Sequence, residues 1–417
     1  MNNISIIGGG ITGLYYKYKH NDEDIQLYES SDRLGGRIMT ENNYGINTEY
    51  GAIRFEWGYQ PLLEELLTEL DIDVTGFPSF CGNKGKELML IKEICEYIWS
   101  KYHDREVCIT DITYEDLTNV YQKPWLEYQG EYIYIYEITC NTYIQSINFD
   151  WYQKLQVMDT EIDTFPINNW SLMLWLLRWT KVLITNHSIK TIDKGNSQII
   201  NTLKNRFNSK DIHLNHELHR IVQKSDYYKL YFTNQEIKYT KKLILTIPFQ
   251  SLLKIKYTFR PEIYTILNMV RPYRLGRIFI YVKDPFWKTS DLFNLQNYRR
   301  KELHTREVYY YTNHNNNTGL IMLYFDELYF DFWRVKDDND IREHIISCGF
   351  KDIIDIKTFY WDGKDNPYAF YYIDKNINPE FAIDTLYHAD RDMHIITDCT
   401  LEPGFIEGSL QIIHSKL

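Results

Sequence analysis

The chain lacks the cysteine patterns that hold metals or staple small secreted folds. Its six cysteines (Cys81, Cys95, Cys108, Cys140, Cys348 and Cys399) are scattered, with no Cys-x-x-Cys and no Cys/His pair at ligand spacing. Isolated thiols suit a reducing compartment, and no metal is expected. An excess of basic charge is missing too: 46 Lys and Arg against 57 Asp and Glu give a net charge of -11. Nucleic acid and anionic membrane both attract a basic surface, so neither is expected as a partner. Long apolar runs are absent. The most apolar stretch, Trp170 to Leu177, is far shorter than the ~20 residues that cross a bilayer and is closed by Arg178, so it reads as a buried helix. No basic and apolar leader precedes Ile4, which makes an intracellular protein the expectation. The final Ser415-Lys416-Leu417 is a tripeptide that peroxisomal import receptors read, so the location expected is peroxisomal or cytoplasmic.

What is present is a chain of 417 residues, 44% apolar and 25% charged, too long for one ordinary core and expected to form two or three domains. No repeat or low-complexity linker divides it. Residues 4–7 form a short β-rich run ending in glycines, a helical stretch follows from Thr12, and Ile25 to Tyr28 reads as a second strand. Leucines at 62, 63, 66, 67 and 70 after Pro61 mark one face of a helix. Residues 76–189 lose the α/β alternation, although Tyr132 to Tyr136 alternates like a strand. The α/β character returns with a helix after Gly195, strands at 212–214 and 230–232, and a strand at 243–247 halted by Pro248. A strand at 394–397 and a helix from about Phe405 close the chain. The expected class is α/β, α+β overall: a Rossmann-like nucleotide-binding domain from residues 1–75, 190–265 and 385–417, interleaved with a substrate domain of mixed sheet and helices from 76–189 and 266–384.

The chemistry starts at Gly8-Gly-Gly10-Ile11-Thr12-Gly13, a G-x-G-x-x-G between a strand and a helix. Gly8 permits the tight turn, Gly10 lets the backbone approach a pyrophosphate, and Gly13 allows close helix–sheet packing. The helix start at Ile11 and Thr12 offers N–H groups to phosphates. Glu29 ends the second strand, where a carboxylate can bind an adenosine ribose. Beyond it, Arg33-Leu-Gly35-Gly36-Arg37 supplies two glycines that expose amides and two guanidiniums suited to a pyrophosphate.

That Arg-x-Gly-Gly-Arg run closely resembles the flavin-containing amine oxidase superfamily, whose members include monoamine, polyamine and L-amino-acid oxidases. The likeness continues through Glu49-Tyr-Gly51-Ala52-Ile53-Arg54-Phe55, the helix after Gly195, the strand containing Leu218, and Leu245-Thr246-Ile-Pro248. It ends at Thr397-Asp398 and Gly404-Phe405-Ile406-Glu-Gly408, similar to the family's G-[DE] and G-[YW]-[IV]-x-G motifs. The resemblance implies bound FAD, with Leu218 flanking the adenine and Asp398, Gly404, Phe405 and Ile406 approaching the ribityl chain and ring. No cysteine stands in Pro367 to Tyr372, where covalent members carry one, so non-covalent FAD is expected.

The resemblance also implies hydride transfer from a primary amine or L-amino acid to flavin N5, with oxygen as acceptor and hydrogen peroxide as product. Arg54 stands where L-amino-acid oxidases grip the substrate carboxylate, or else it is a structural arginine serving the sheet or the FAD. Phe405, with Phe370 or Tyr372 opposite, would make an aromatic cage for the amine. The family lysine that stands ten residues before Trp287 and holds a water near N5 is Arg277 here, which keeps the charge but cannot act as a base near neutral pH. Thr397 likewise replaces a family glycine. These departures keep two alternatives open: another flavin redox enzyme of desaturase or isomerase type, and a degenerate FAD-bound protein with a structural or interaction role. Oligomeric state is not legible.

Overall fold

In the computed structural model, residues 2–20, 24–77, 84–161, 170–185, 188–285, 287, 303–313, 315–364 and 366–416 are described. Cys81 and Leu417, on which two of the sequence expectations fall, lie outside them, as does Phe286.

The apolar run of Asn2–Ile7 is central because it can be buried on both faces. It pairs in parallel with Ile25–Tyr28 on one side and Ile237–Leu245 on the other. The sheet has seven strands, in the order Ile212–His213, Ile25–Tyr28, Asn2–Ile7, Ile237–Leu245, Tyr228–Phe232 and Leu218–Gln223, with Met393–Ile395 also parallel to Ile237–Leu245. Parallel neighbours need a crossover, which the helix Ile11–Lys19 provides. That helix shares one core with the helices Pro61–Glu69, Ser197–Arg206 and Ile406–Ser415. The sheet therefore draws strands from the beginning, middle and end of the chain.

The second large sheet is antiparallel, in the order Glu307–Asn313, Thr318–Asp326, Leu275–Lys283 and Ile353–Trp361. Successive side chains point to opposite faces. Ile278, Ile280, Ile321, Leu323 and Phe325 face the helices Glu327–Arg334 and Asp338–Ser347, through Phe330, Trp333 and Ile341. The other face, with Leu275, Phe279, Tyr309, Met322 and Tyr324, covers Tyr50, Ile53 and Phe77. Alternation thus decides that Arg277 faces the segment holding the Gly51 motif.

The apolar stretch at 170–177 lies in the helix Leu172–Ile184, buried from Leu172 through Leu177, and Trp99 Nε1 donates to Thr180 Oγ1 at 2.8 Å. Tyr132 belongs to a short hairpin, Trp125–Tyr128 with Glu131–Tyr134, that stops before Tyr136. Of the final tripeptide, Ser415 ends the last helix and Lys416 Nζ reaches Asp384 at 2.9 Å. Among the described residues no helix is long and apolar enough to cross a membrane, and no group of three His, Cys, Asp or Glu could hold a metal ion.

Candidate active site

The glycine turn is built by exclusion. A Cβ on Gly13 would stand 2.1 Å from the Gly8 carbonyl oxygen, so only glycine lets the helix meet the strand there. Gly8 has φ +114°, and Thr246 Oγ1 donates to its carbonyl at 3.0 Å. Gly10 differs: a Cβ there would meet nothing within 4 Å. It precedes a helix with no side-chain cap and no acid in its first turn, so the N–H groups around Ile11 and Thr12 face a space that a phosphate could fill. Gly35 and Gly36 both have positive φ, and Gly35 N–H donates to the Gly9 carbonyl at 2.8 Å, laying the second glycine loop along the first.

Glu29 is buried beside this turn. Its Oε2 accepts the Gly9 N–H at 2.7 Å and its Oε1 the Ser31 N–H at 2.9 Å. Of the two arginines expected at a pyrophosphate, Arg33 folds back on its own loop, donating to the Gly36 carbonyl at 2.8 Å. Arg37 instead crosses the molecule. Its Nη1 donates to Asp398 Oδ2 and, at 3.1 Å, to the Ala369 carbonyl. Asp398 Oδ2 also accepts the Tyr371 N–H at 2.9 Å, while its Oδ1 is buried without a partner. A buried carboxylate oxygen left unmatched calls for a donor from outside the chain. Thr397, in place of the family glycine, accepts the Cys399 N–H on its hydroxyl and so shapes the turn. The Cys399 side chain belongs to the apolar core.

Gly51 carries the next piece, because a Cβ there would meet the Arg37 carbonyl oxygen at 1.8 Å. Ala52 N–H donates to that same oxygen at 2.9 Å, Ala52 O accepts Asn196 Nδ2, and the Ile53 carbonyl accepts the Thr191 hydroxyl. Arg54 then points at the second sheet. Its Nη1 and Nη2 fork onto Glu307 at 2.8 and 3.0 Å, and it also donates to the Tyr309 hydroxyl. A substrate carboxylate would have to displace Glu307 to take this guanidinium.

Arg277 lies in the same sheet row as Tyr324 and Glu307, since Arg277 pairs with Tyr324 in the register and Tyr324 with Glu307. It is 3% exposed. Its Nη1 donates to the Glu49 carbonyl at 2.6 Å, its Cζ lies 5.3 Å from the centre of the Tyr324 ring, and its Nε has no partner. Burial lowers its pKa, and burial pushes the neighbouring Glu49 carboxyl up to about 7.

The aromatic positions separate. Phe370 stacks on Tyr273 with centroids 4.6 Å apart, and a Cβ on Gly404 would touch the Phe370 ring at 3.4 Å, so Phe370 and the Gly404-Phe405 turn are neighbours. Tyr372 stacks instead on Trp170, with centroids 6.0 Å apart. Phe405 precedes the helix Ile406–Ser415 and carries the Arg178 guanidinium 4.6 Å from its ring centre. Arg178 is sandwiched, also 4.6 Å from Tyr59, and forks onto Glu56 at 3.0 and 2.7 Å. Leu218, expected beside an adenine, is buried and pairs in register with Phe232, whose ring clusters with those of Tyr28 and His216.

Sequence reasoning missed Glu307, Arg178 and the hold of Ser30 and Ser31 on Glu29, each of which donates its hydroxyl to Oε1. Glu307 offers a signal only in retrospect, as a lone acid in the run Glu307-Val-Tyr-Tyr-Tyr, where a buried charge requires a partner.

A family model described as NAD(P)-binding Rossmann-like domain matches residues 6–70, and one described as flavin containing amine oxidoreductase matches residues 110–348. The chain is 35% identical over 89 residues to Aplysianin-A of Aplysia kurodai, a match covering 20% of this chain and 16% of that protein. It is 28% identical over 88 residues to Achacin of Lissachatina fulica, covering 20% and 17%. The match therefore spans only about a sixth of either curated relative. Among solved structures, putrescine oxidase bound to putrescine superposes with a TM-score of 0.72 at 14% identity, over 100% of this chain and 98% of that one. Cyclohexylamine oxidase from Brevibacterium oxydans IH-35A gives 0.70 at 13% identity, over 100% and 99%. These likenesses establish the fold. With the family model covering more than half of its length, the chain belongs to the flavin-containing amine oxidoreductase family.

Proposed function

We propose that the protein is an FAD-dependent oxidase of a primary amine, holding its flavin without a covalent bond. The observation that carries the reading is the unpartnered, buried Asp398 Oδ1, locked by Arg37 into the chain-long line of family motifs. A ribityl hydroxyl would supply the missing donor. The open space at Gly10 and the uncapped helix behind it would take the pyrophosphate, and Glu29 the adenosine ribose. Arg33 would act by stiffening its loop and Arg37 by fixing Asp398. A bound flavin would supply the acceptor for a hydride from the carbon bearing the amine, with oxygen as terminal acceptor and hydrogen peroxide as product.

The chain's own groups position and exclude. Phe370 beside the Gly404 turn would give the amine an apolar wall, and the Arg178 guanidinium over the Phe405 ring would favour its neutral form. The Arg54–Glu307 pair pins the Gly51 segment to the sheet, which places Arg277 over the same region. Arg277 cannot remove a proton near neutral pH, so its contribution is charge and hydrogen bonding. The core position of Cys399 leaves the cofactor without a thiol partner there.

The test is peroxide release on incubation with a panel of alkylamines, diamines and amino acids, together with acid precipitation of the purified protein. Peroxide with at least one amine, and FAD in the supernatant, support the reading. Colour retained in the precipitate contradicts non-covalent binding. A flavin that no amine turns over favours the degenerate alternative, which the exchange of the family lysine for Arg277 motivates.

A further inference from the structure

Two guanidiniums reach the face of the second sheet that covers the Gly51 segment, and they differ in one respect. Arg54 is neutralised by the fork of Glu307. Arg277, 3% exposed, has no carboxylate of a described residue within salt-bridge reach; its one hydrogen bond goes to the Glu49 backbone carbonyl, and its Nε is unmatched. A buried cation whose only partner is a neutral carbonyl is costly unless an anion joins it. The surroundings suit a small anion. The Tyr324 ring lies under the guanidinium, and the charge of Arg277 is felt by the phenols of both Tyr311 and Tyr324, which can donate. The Glu49 carboxyl reaches Arg277 through its field alone and gives it no hydrogen bond, because its oxygens are turned to the Asn196 N–H at 2.7 Å and the Thr40 hydroxyl at 2.8 Å.

We propose that Arg277 is the receptor for an anionic group on the substrate, so that the preferred amines carry a carboxylate that seats on its Nε edge. The inference rests on the amine-oxidase reading for the identity of the substrate, but the seat itself is testable without turnover.

Thermal unfolding of the purified holoprotein is followed against propionate, with chloride balancing ionic strength. A saturable rise in Tm of about 2–4 °C is expected at a hundredfold excess over Kd. Arg277→Met should abolish the rise without lowering the starting Tm, and Arg277→Lys should keep a weaker one. In turnover, Arg277→Met should raise the ratio of KM for an ω-amino acid to KM for a plain alkylamine about 10- to 100-fold. No response of the wild type to propionate, the same rise in Arg277→Met, or an equal rise with chloride alone would each overturn the proposal. A propionate response in a protein whose flavin no amine reduces would keep the seat and remove the oxidase reading. Equal KM for both amines in wild type, with no propionate response, would do the reverse.

Discussion

Arg37 Nη1 donates to Asp398 Oδ2 at 2.5 Å, joining two residues 361 positions apart. The pair ties the second glycine loop to the loop that follows the strand Met393–Ile395, and it leaves the other Asp398 oxygen buried and free to accept. Because hydrogen bonds to a charged group contribute about 1.5–3 kcal/mol, Asp398→Ala is expected to weaken flavin retention about 10- to 100-fold, with Asp398→Asn intermediate. The ratio of flavin absorbance to protein after dialysis measures it.

The two glycines of the turn should fail differently. A side chain at Gly13 collides with the Gly8 carbonyl, so Gly13→Ala should lower the melting temperature sharply or prevent folding. At Gly10 there is room, so Gly10→Val should fold with a near-normal melting temperature and lose flavin. Thermal unfolding and flavin content together separate the two outcomes.

Arg54→Met would remove the guanidinium that forks onto the Glu307 carboxylate, whose side chain is 1% exposed. Breaking one side of a buried pair costs about 3–5 kcal/mol, whereas replacing both sides with apolar groups can be close to neutral. The double variant Arg54→Met with Glu307→Leu should therefore recover much of the stability lost in the single variant, as read by denaturant midpoints.

Glu407 sets a pH dependence. Burial raises its carboxyl from 4.5 to about 7, against the opposing Leu62 and Leu63 N–H groups whose bonds it accepts. The folded protein holds this proton more tightly than the unfolded chain, so stability falls as pH rises from about 4.5 to about 7. Glu407→Gln removes the ionisation but keeps only one of the two acceptor oxygens, so it should flatten the fall, with its benefit showing at pH 8 and a small loss at pH 4. Glu49, raised to about 7 in the same way, should leave a residual slope.

The nucleotide-binding part was legible because its signals are local. The glycines, Glu29 and the strand–helix–strand rhythm lie within one short stretch, and each residue type answers a steric or electrostatic need there. Tyrosine alternation runs to Tyr136, two residues beyond the end of the strand Glu131–Tyr134, because the pattern persists past the hairpin. The substrate side was less legible, since its contacts join distant segments. Nothing near Arg54 announces Glu307, and nothing near Phe405 announces Arg178, which sits in a helix that reads as plain apolar core. The two arginines look alike in sequence, and only the geometry separates the paired Arg54 from Arg277.

The most direct measurement is the visible spectrum of the purified protein titrated with amines in the absence of oxygen. Loss of the oxidised flavin absorbance with at least one amine, and its return on admitting air, is the expected result. A protein that carries no flavin, or one whose flavin stays oxidised with every amine, would contradict the central claim.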